Sequence, residues 1–143
     1  PSSAASDVYK RQPFSLRRFA AYAKPFYGVF GNNDGEKVLL SKVAAEAGMT
    51  LVDQPLVFTF AGKSFLVIHG AGGVEETERL ALSMAEAGGY DYVIYGHTHK
   101  LRVEQVGDAL VINPGELCGY LTGESTFVLL RVEDGRTEVV RLP

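Results

Sequence analysis

Three short apolar runs, each stopped by glycine and followed by a polar ligand-type residue, constrain this chain more than any other feature. Ser64-Phe65-Leu66-Val67-Ile68 runs into His69-Gly70, and Tyr90-Asp91-Tyr92-Val93-Ile94-Tyr95 runs into Gly96-His97-Thr98-His99. Phe26-Tyr27-Gly28-Val29-Phe30 runs into Gly31-Asn32-Asn33-Asp34. Apolar runs rich in Val, Ile, Phe and Tyr and ended by glycine read as buried strands. In open α/β sheets, ligand and metal sites form beyond the carboxyl ends of such strands. All three histidines of the chain lie there. Imidazoles and a side-chain amide gathered at one sheet edge are the raw material of a metal site.

A chain of 143 residues predicts one domain. Its 46% hydrophobic content supplies a core, and 22% charged residues are ordinary for a globule. The net charge of −3 provides no basic footprint for a nucleic-acid backbone. A phosphate-bearing substrate stays compatible with it, because bound metal ions would supply local positive charge. The single cysteine, Cys118, rules out an internal disulfide and suits a reducing, cytoplasmic setting. No apolar run approaches the roughly 18 residues of a membrane span. The N-terminus lacks the apolar segment of a secretory signal.

Residues 1–13 differ in character from the rest and read as a disordered or artefactual leader, leaving 14–143 as the folded portion. Ser15 to Ala23 predicts a short helix with Leu16, Phe19, Ala20 and Ala23 on one face. Glu36 to Ala47 predicts a second, with Val38, Leu39, Val43 and Ala47 inward and Gly48 as its stop. Glu75 to Ala87 predicts a third, with acidic residues in its first turn. Strands are expected at Leu51-Val52, Val57–Phe60, Phe65–Ile68, Leu101–Glu104 and Ala109–Ile112. Asn113-Pro114-Gly115 is a turn. Thr126 to Val132 and Thr137 to Leu142 flank Glu133-Asp134-Gly135 as a hairpin. The first part is therefore βα-like and the last part antiparallel.

His97 and His99 form an H-x-H pair, which on extended chain points both rings to one side. Each residue also has a plainer reading. His69 alone suits a buried, satisfied histidine, and Asn32 or Asn33-Asp34-Gly35 suits a turn. Cys118 suits a small buried hydrophobe. Glu75, Glu76, Glu78 and Arg79 suit a solvated helix face.

Taken in order, Gly31-Asn32-x-Asp34, His69-Gly70, Gly96-His97-Thr98-His99 and Asn113-Pro114-Gly115 resemble the calcineurin-like metallophosphoesterases, and within them the small single-domain phosphodiesterase branch. The resemblance covers Phe14 to Pro143. It implies an α/β fold of four layers, two mixed sheets sandwiched between helices. It implies Asn32, His69 and His97 as ligands of a second metal and His99 as a ligand of a first. Asp34 would orient Asn32 or a ligand ring, Asn32, Asp34 and His69 would serve catalysis, and Asn33 would contact substrate. The implied chemistry is phosphodiester hydrolysis at a dinuclear centre of Mn, Ni, Zn, Fe or Co, on a small phosphodiester or phosphomonoester.

The sequence departs from the family pattern in several places. The opening D-x-H and the following G-D are absent, so the chain reads as the C-terminal portion of such a domain lacking its first β-α-β segment. That portion is expected to be weakly active, marginally stable and prone to form homo-oligomers. Asn33 stands where many relatives carry a proton-donating His, Ala71 where another His is frequent, and Glu116 where Ser is usual. The rival expectation is a non-catalytic protein-binding scaffold on the same fold, as in the retromer subunit with this architecture. A further one is a plain α/β binding domain with incidental histidines.

Overall fold

In the computed structural model, residues 25–31 and 37–143 are described. The predicted helix Ser15–Ala23, the leader, and Asn32, Asn33 and Asp34 lie outside them. The elements in chain order are β1 (Tyr27–Val29), α1 (Lys37–Glu46), β2 (Thr50–Val52), β3 (Leu56–Phe60), β4 (Lys63–Ile68), α2 (Val74–Ala87), β5 (Tyr92–Tyr95), β6 (Arg102–Val106), β7 (Ala109–Asn113), β8 (Ser125–Arg131) and β9 (Arg136–Leu142).

Five strands form a mixed sheet in the order β3-β4-β5-β7-β6. The three inner strands, β4, β5 and β7, are parallel, with Ile68 opposite Tyr95 and Ile94 opposite Ile112. The edge strands β3 and β6 run antiparallel to their neighbours. Parallel strands buried on both faces require apolar residues at successive positions, which is why Phe65–Ile68 is an unbroken apolar run with every residue buried. One face, carrying Leu66, Ile68, Val93, Tyr95, Ala109 and Val111, packs under Ala81 and Ala85 of α2.

The opposite face carries Val67, which packs with Leu56 of β3 and Val29 of β1, flanked by Tyr27, Phe58 and Ile94. β1 pairs in parallel with β2 as a separate two-stranded sheet. Beyond it, Phe26 and Phe30 meet Leu40, Val43 and Ala44 of α1, with Met49. The order of layers is thus helix, small sheet, large sheet, helix, as the fold expectation required. A row of rings ties the two sheets together. Tyr27 stacks on Phe58 at 3.9 Å between centroids, Phe58 on Phe65 at 4.8 Å, and Phe65 meets Tyr92 at 4.9 Å. The Tyr92 hydroxyl donates to the Val132 carbonyl at 2.7 Å, anchoring the β8–β9 hairpin, whose register pairs Ser125 with Leu142 and Arg131 with Arg136. Among the described residues no helix is long and apolar enough to cross a membrane.

Three local expectations are corrected. The buried face of α1 is Leu40, Val43 and Ala44, while Val38 is 86% exposed and Leu39 is exposed as well. Leu40, Val43 and Ala44 form one apolar stripe and Leu39, Val43 and Ala47 another that shares Val43, and contact with Phe26, Phe30 and Met49 buries Leu40 rather than Leu39. Cys118 is exposed, not buried. The chain at His97 and His99 is not extended, because both residues adopt left-handed φ, 64° and 61°.

Candidate metal centre

The parallel register of β4, β5 and β7 brings three chain exits to one edge of the large sheet: His69-Gly70 after β4, Gly96–His99 after β5, and Pro114–Glu116 after β7. The amide of Gly96 donates to the His69 carbonyl at 3.1 Å, so the first two exits are joined directly. The sheet ladder ends where both chains must turn towards the site.

Each exit is held by a side chain from elsewhere. Gln54 follows β2, and its Oε1 accepts from the amides of His69 and Gly70, both at 3.0 Å, while its Nε2 donates to the Gly70 carbonyl at 3.0 Å. All the hydrogen-bonding capacity of one amide side chain is nearly consumed in fixing one turn. Thr77, fully buried in the first turns of α2, accepts from the Ala71 amide and donates to the Ala71 carbonyl. Gly70 sits at φ 129°, and a Cβ there would stand 2.5 Å from Thr77 Cγ2 and 2.9 Å from His97 Cβ. Only glycine fits this crossing.

The second exit is pegged by Asn113 at the end of β7. Its fully buried Nδ2 donates to Thr98 Oγ1 at 2.9 Å and to the Gly96 carbonyl at 3.3 Å, and its Oδ1 accepts from the Gly115 amide at 3.0 Å. Thr98 Oγ1 also accepts from the Lys100 amide. These bonds hold two consecutive-but-one residues, His97 and His99, in a backbone region that side-chain-bearing residues seldom adopt, and such held strain clusters at functional sites.

The imidazoles of His69 and His97 meet edge to face with ring centroids 5.0 Å apart, His69 Nε2 standing 3.1 Å from His97 Nδ1. His97 Nε2 lies 2.6 Å from the Gly72 carbonyl. A carbonyl only accepts, so His97 carries its proton on Nε2 and presents the Nδ1 lone pair to His69. Burial, with the neighbouring His97 and His99, lowers the pKa of His69 from 6.5 to about 4. His69 is therefore neutral at pH 7.

This arrangement fits a divalent ion. Two imidazole nitrogens bound to one ion at about 2.0–2.1 Å, with cis angles of roughly 90–110°, stand about 2.8–3.4 Å apart. The observed 3.1 Å lies within that span. The bond from His97 to a backbone carbonyl is the outer contact that orients a ligating ring and sets its tautomer. Among the described residues no three His, Cys, Asp or Glu side chains gather tightly enough to hold an ion by themselves. A full set needs a further donor, and Asn32, Asn33 and Asp34 lie outside those residues.

His99 is placed separately. Its Nδ1 is 3.6 Å from Oε1 of Glu116, whose side chain is fully buried. Burial alone would raise the Glu116 pKa. The amides of Thr122 and Leu121, the Cys118 thiol and the Thr122 hydroxyl outweigh it and bring the carboxyl below its ordinary value. Glu116 is thus a buried carboxylate beside an imidazole.

Sequence reasoning missed Gln54, Thr77 and Asn113 as clamps of the site, and Glu116 as the neighbour of His99. In the sequence Asn113 reads as a turn residue and Glu116 as a departure from the family pattern. Gln54 and Thr77 carry no local signal, because their partners are Gly70 and Ala71 across loops.

Comparison with known proteins places the chain. Residues 3–135 match the calcineurin-like phosphoesterase superfamily domain. Over 122 residues the chain is 37% identical to phosphodiesterase MJ0936 of Methanocaldococcus jannaschii, covering 84% of this chain and 70% of that protein. A solved structure of an archaeal phosphodiesterase superposes with a TM-score of 0.80 at 33% identity, over 90% of this chain and 76% of that one. The fold is shared with Vps29 of Entamoeba histolytica in complex with zinc, at a TM-score of 0.55 and 20% identity, over 90% of this chain and 87% of that one. On the sequence match, the mixed α/β layers and the strand-end histidines, the chain belongs to the calcineurin-like phosphoesterase superfamily.

Proposed function

We propose that this protein is a metal-dependent phosphodiesterase, with Asn32, His69 and His97 holding one divalent ion and His99 contributing to a second. The observation that carries the reading is the 3.1 Å approach of His69 Nε2 to His97 Nδ1 at the carboxyl edge of the sheet, with the far nitrogen of His97 tied to Gly72. Kinship with a phosphodiesterase at 37% identity supports the substrate class. Mn, Ni, Zn, Fe and Co all suit imidazole with amide and carboxylate oxygen.

When bound, such ions polarise a phosphoryl oxygen and activate water for in-line displacement. The chain's own contribution is orientation. His69, neutral at pH 7, needs no net loss of a proton to bind, only a shift of its ring proton away from Nε2. In the metal-free form its Nε2–H donates to His97 Nδ1, so binding requires its proton to reside on Nδ1. His97 needs no such change, because the Gly72 carbonyl already holds its proton on Nε2. Glu116, 3.6 Å from His99 Nδ1, favours the proton on that nitrogen, which leaves the lone pair of Nε2 for an ion. Asp34 would steady Asn32 or a ligand ring, and Asn33 would contact the substrate phosphate. Of the residues assigned here, His99 is the one given to the first ion.

The test is metal uptake and hydrolysis together. The protein is expected to take up Mn(II) and cleave bis(p-nitrophenyl) phosphate, with His97→Ala abolishing both. Hydrolysis that survives His97→Ala would overturn the assignment. A second reading, a protein-binding scaffold, is favoured by the fold shared with Vps29. Absence of Mn(II) uptake combined with retained folding would favour it.

A further inference from the structure

Three consecutive residues after Leu51 hold both sides of the candidate centre. The Val52 carbonyl accepts from the Phe30 amide at 3.0 Å, at the exit of β1 that leads towards Asn32. The Asp53 carboxylate accepts from Lys37 Nζ at 3.0 Å, at the first residue of α1, on the far side of Asn32 in the chain. Gln54 then reaches across to the exit of β4. Its Oε1 accepts from the amides of His69 and Gly70 and its Nε2 donates to the Gly70 carbonyl, each at 3.0 Å.

The Gly96 amide takes the one backbone group left at this turn, the His69 carbonyl, at 3.1 Å. All four backbone polar groups of His69 and Gly70 are thus engaged, three of them by a single side chain. A flip of the peptide between His69 and Gly70 would break the bonds of Gly96 and of Gln54 together. The His69 side chain is buried, and a buried ring on a fixed backbone keeps one rotamer. The rotamer it keeps puts Nε2 3.1 Å from His97 Nδ1. Gln54 itself is exposed. Water can therefore take over its bonds one by one, but separate waters do not fix three groups relative to one another as one planar amide does.

Resting on the metal-centre reading above, we propose that Gln54 is a positioning residue of this centre. It aims His69 at the ion and fastens the His69 turn to the segment that holds the chain on either side of Asn32. Outer contacts that orient a ligating ring are commonly worth 10–100-fold in metal affinity, and here the contact acts through the backbone of the ligand instead of its second nitrogen.

The experiment reads two quantities on the full chain: Mn(II) affinity, by electron paramagnetic resonance of the free ion, and the His69 tautomer of the metal-free protein, by nitrogen-15 NMR. The wild type is expected to hold the His69 proton on Nε2, facing His97. Gln54→Ala is expected to weaken Mn(II) binding about tenfold or more and to mix the two His69 tautomers. Gln54→Glu still accepts from both amides but cannot donate to the Gly70 carbonyl, and is expected to fall between. A residue that only supports the fold would shift the urea midpoint and leave both quantities of the folded protein as they were. Unchanged affinity or an unchanged tautomer in folded Gln54→Ala overturns the proposal. If Gln54→Ala does not fold, the same result in Gln54→Glu overturns it. Failure of the metal reading shows separately, as no Mn(II) binding by the wild type, and the tautomer of the metal-free protein then decides the role of Gln54 by itself.

Discussion

Asn113 Nδ2 donates to Thr98 Oγ1 at 2.9 Å in a fully buried contact that joins the end of β7 to the middle of the His97-Thr98-His99 turn. The bond explains how two histidines one residue apart can both be kept at left-handed φ. Asn113 also receives the Gly115 amide and reaches the Gly96 carbonyl. Its loss strands several buried polar groups at once. Asn113→Ala is expected to destabilise the fold by about 2–3 kcal/mol, and Thr98→Val by about 1 kcal/mol. In a double-mutant cycle by urea unfolding the two should couple. Additive costs would show that the contact does not carry the turn.

The lowered pKa of His69 makes stability depend on pH. An unfolded His69 takes a proton near 6.5, whereas the folded one waits until about 4. Between these values the unfolded state holds more protons, so stability rises with pH, is fully present above about 6.5 and is lost as pH falls towards 4. Unfolding free energies measured across pH 4–7 should slope accordingly, and His69→Gln should flatten the slope. An unchanged slope in the variant would assign it to other groups.

Gly70→Ala tests the crossing of the β4 exit over α2 and β5. The added methyl meets both Thr77 and His97 Cβ at a φ that disfavours any side chain. A loss of more than about 2 kcal/mol in stability is expected, together with weakened Mn(II) uptake because His97 is displaced. Stability close to that of the parent protein would show that the exit has slack.

Glu116→Gln exchanges an acceptor-only carboxylate for a group with one NH2, which must face the amide donors of Leu121 and Thr122. Hydrogen exchange at those two amides should accelerate at least roughly tenfold, in keeping with a cost of about 1–3 kcal/mol for an unsatisfied buried group. Unaltered protection would mean the loop is held from elsewhere.

Leu40→Ala and Val38→Ala separate the two amphipathic registers of α1. Leu40 is buried against Phe26 and Phe30, and its truncation should cost about 2–4 kcal/mol. Val38 is exposed, and its truncation should stay within about 0.5 kcal/mol. Thermal or urea melts of the pair decide the matter.

The strands, the helix at 74–87, the hairpin around Glu133-Asp134-Gly135 and the placement of every histidine past a strand were legible in the residues themselves. Those features rest on short-range physics: apolar run length, glycine stops and turn residues act within a few positions along the chain. The layer order followed from resemblance, and the rotation of α1 followed only in part, Val43 and Ala47 meeting the core and Val38 and Leu39 not, because neighbouring registers of a helix differ only in what they meet. The site was half legible. Its ligand-type residues could be named, yet an extended His97-Thr98-His99 was the wrong geometry. Left-handed φ at both histidines is imposed by Asn113 and Thr98, fifteen residues apart. The approach of His69 to His97 spans 28 residues, and Gln54 reaches His69 from 15 away. The order of residues along the chain is enough to put His69, His97 and His99 at strand ends. Tertiary structure alone decided their orientation, because the bonds that aim them close only when β2, β4, β5, β7 and α2 are already packed.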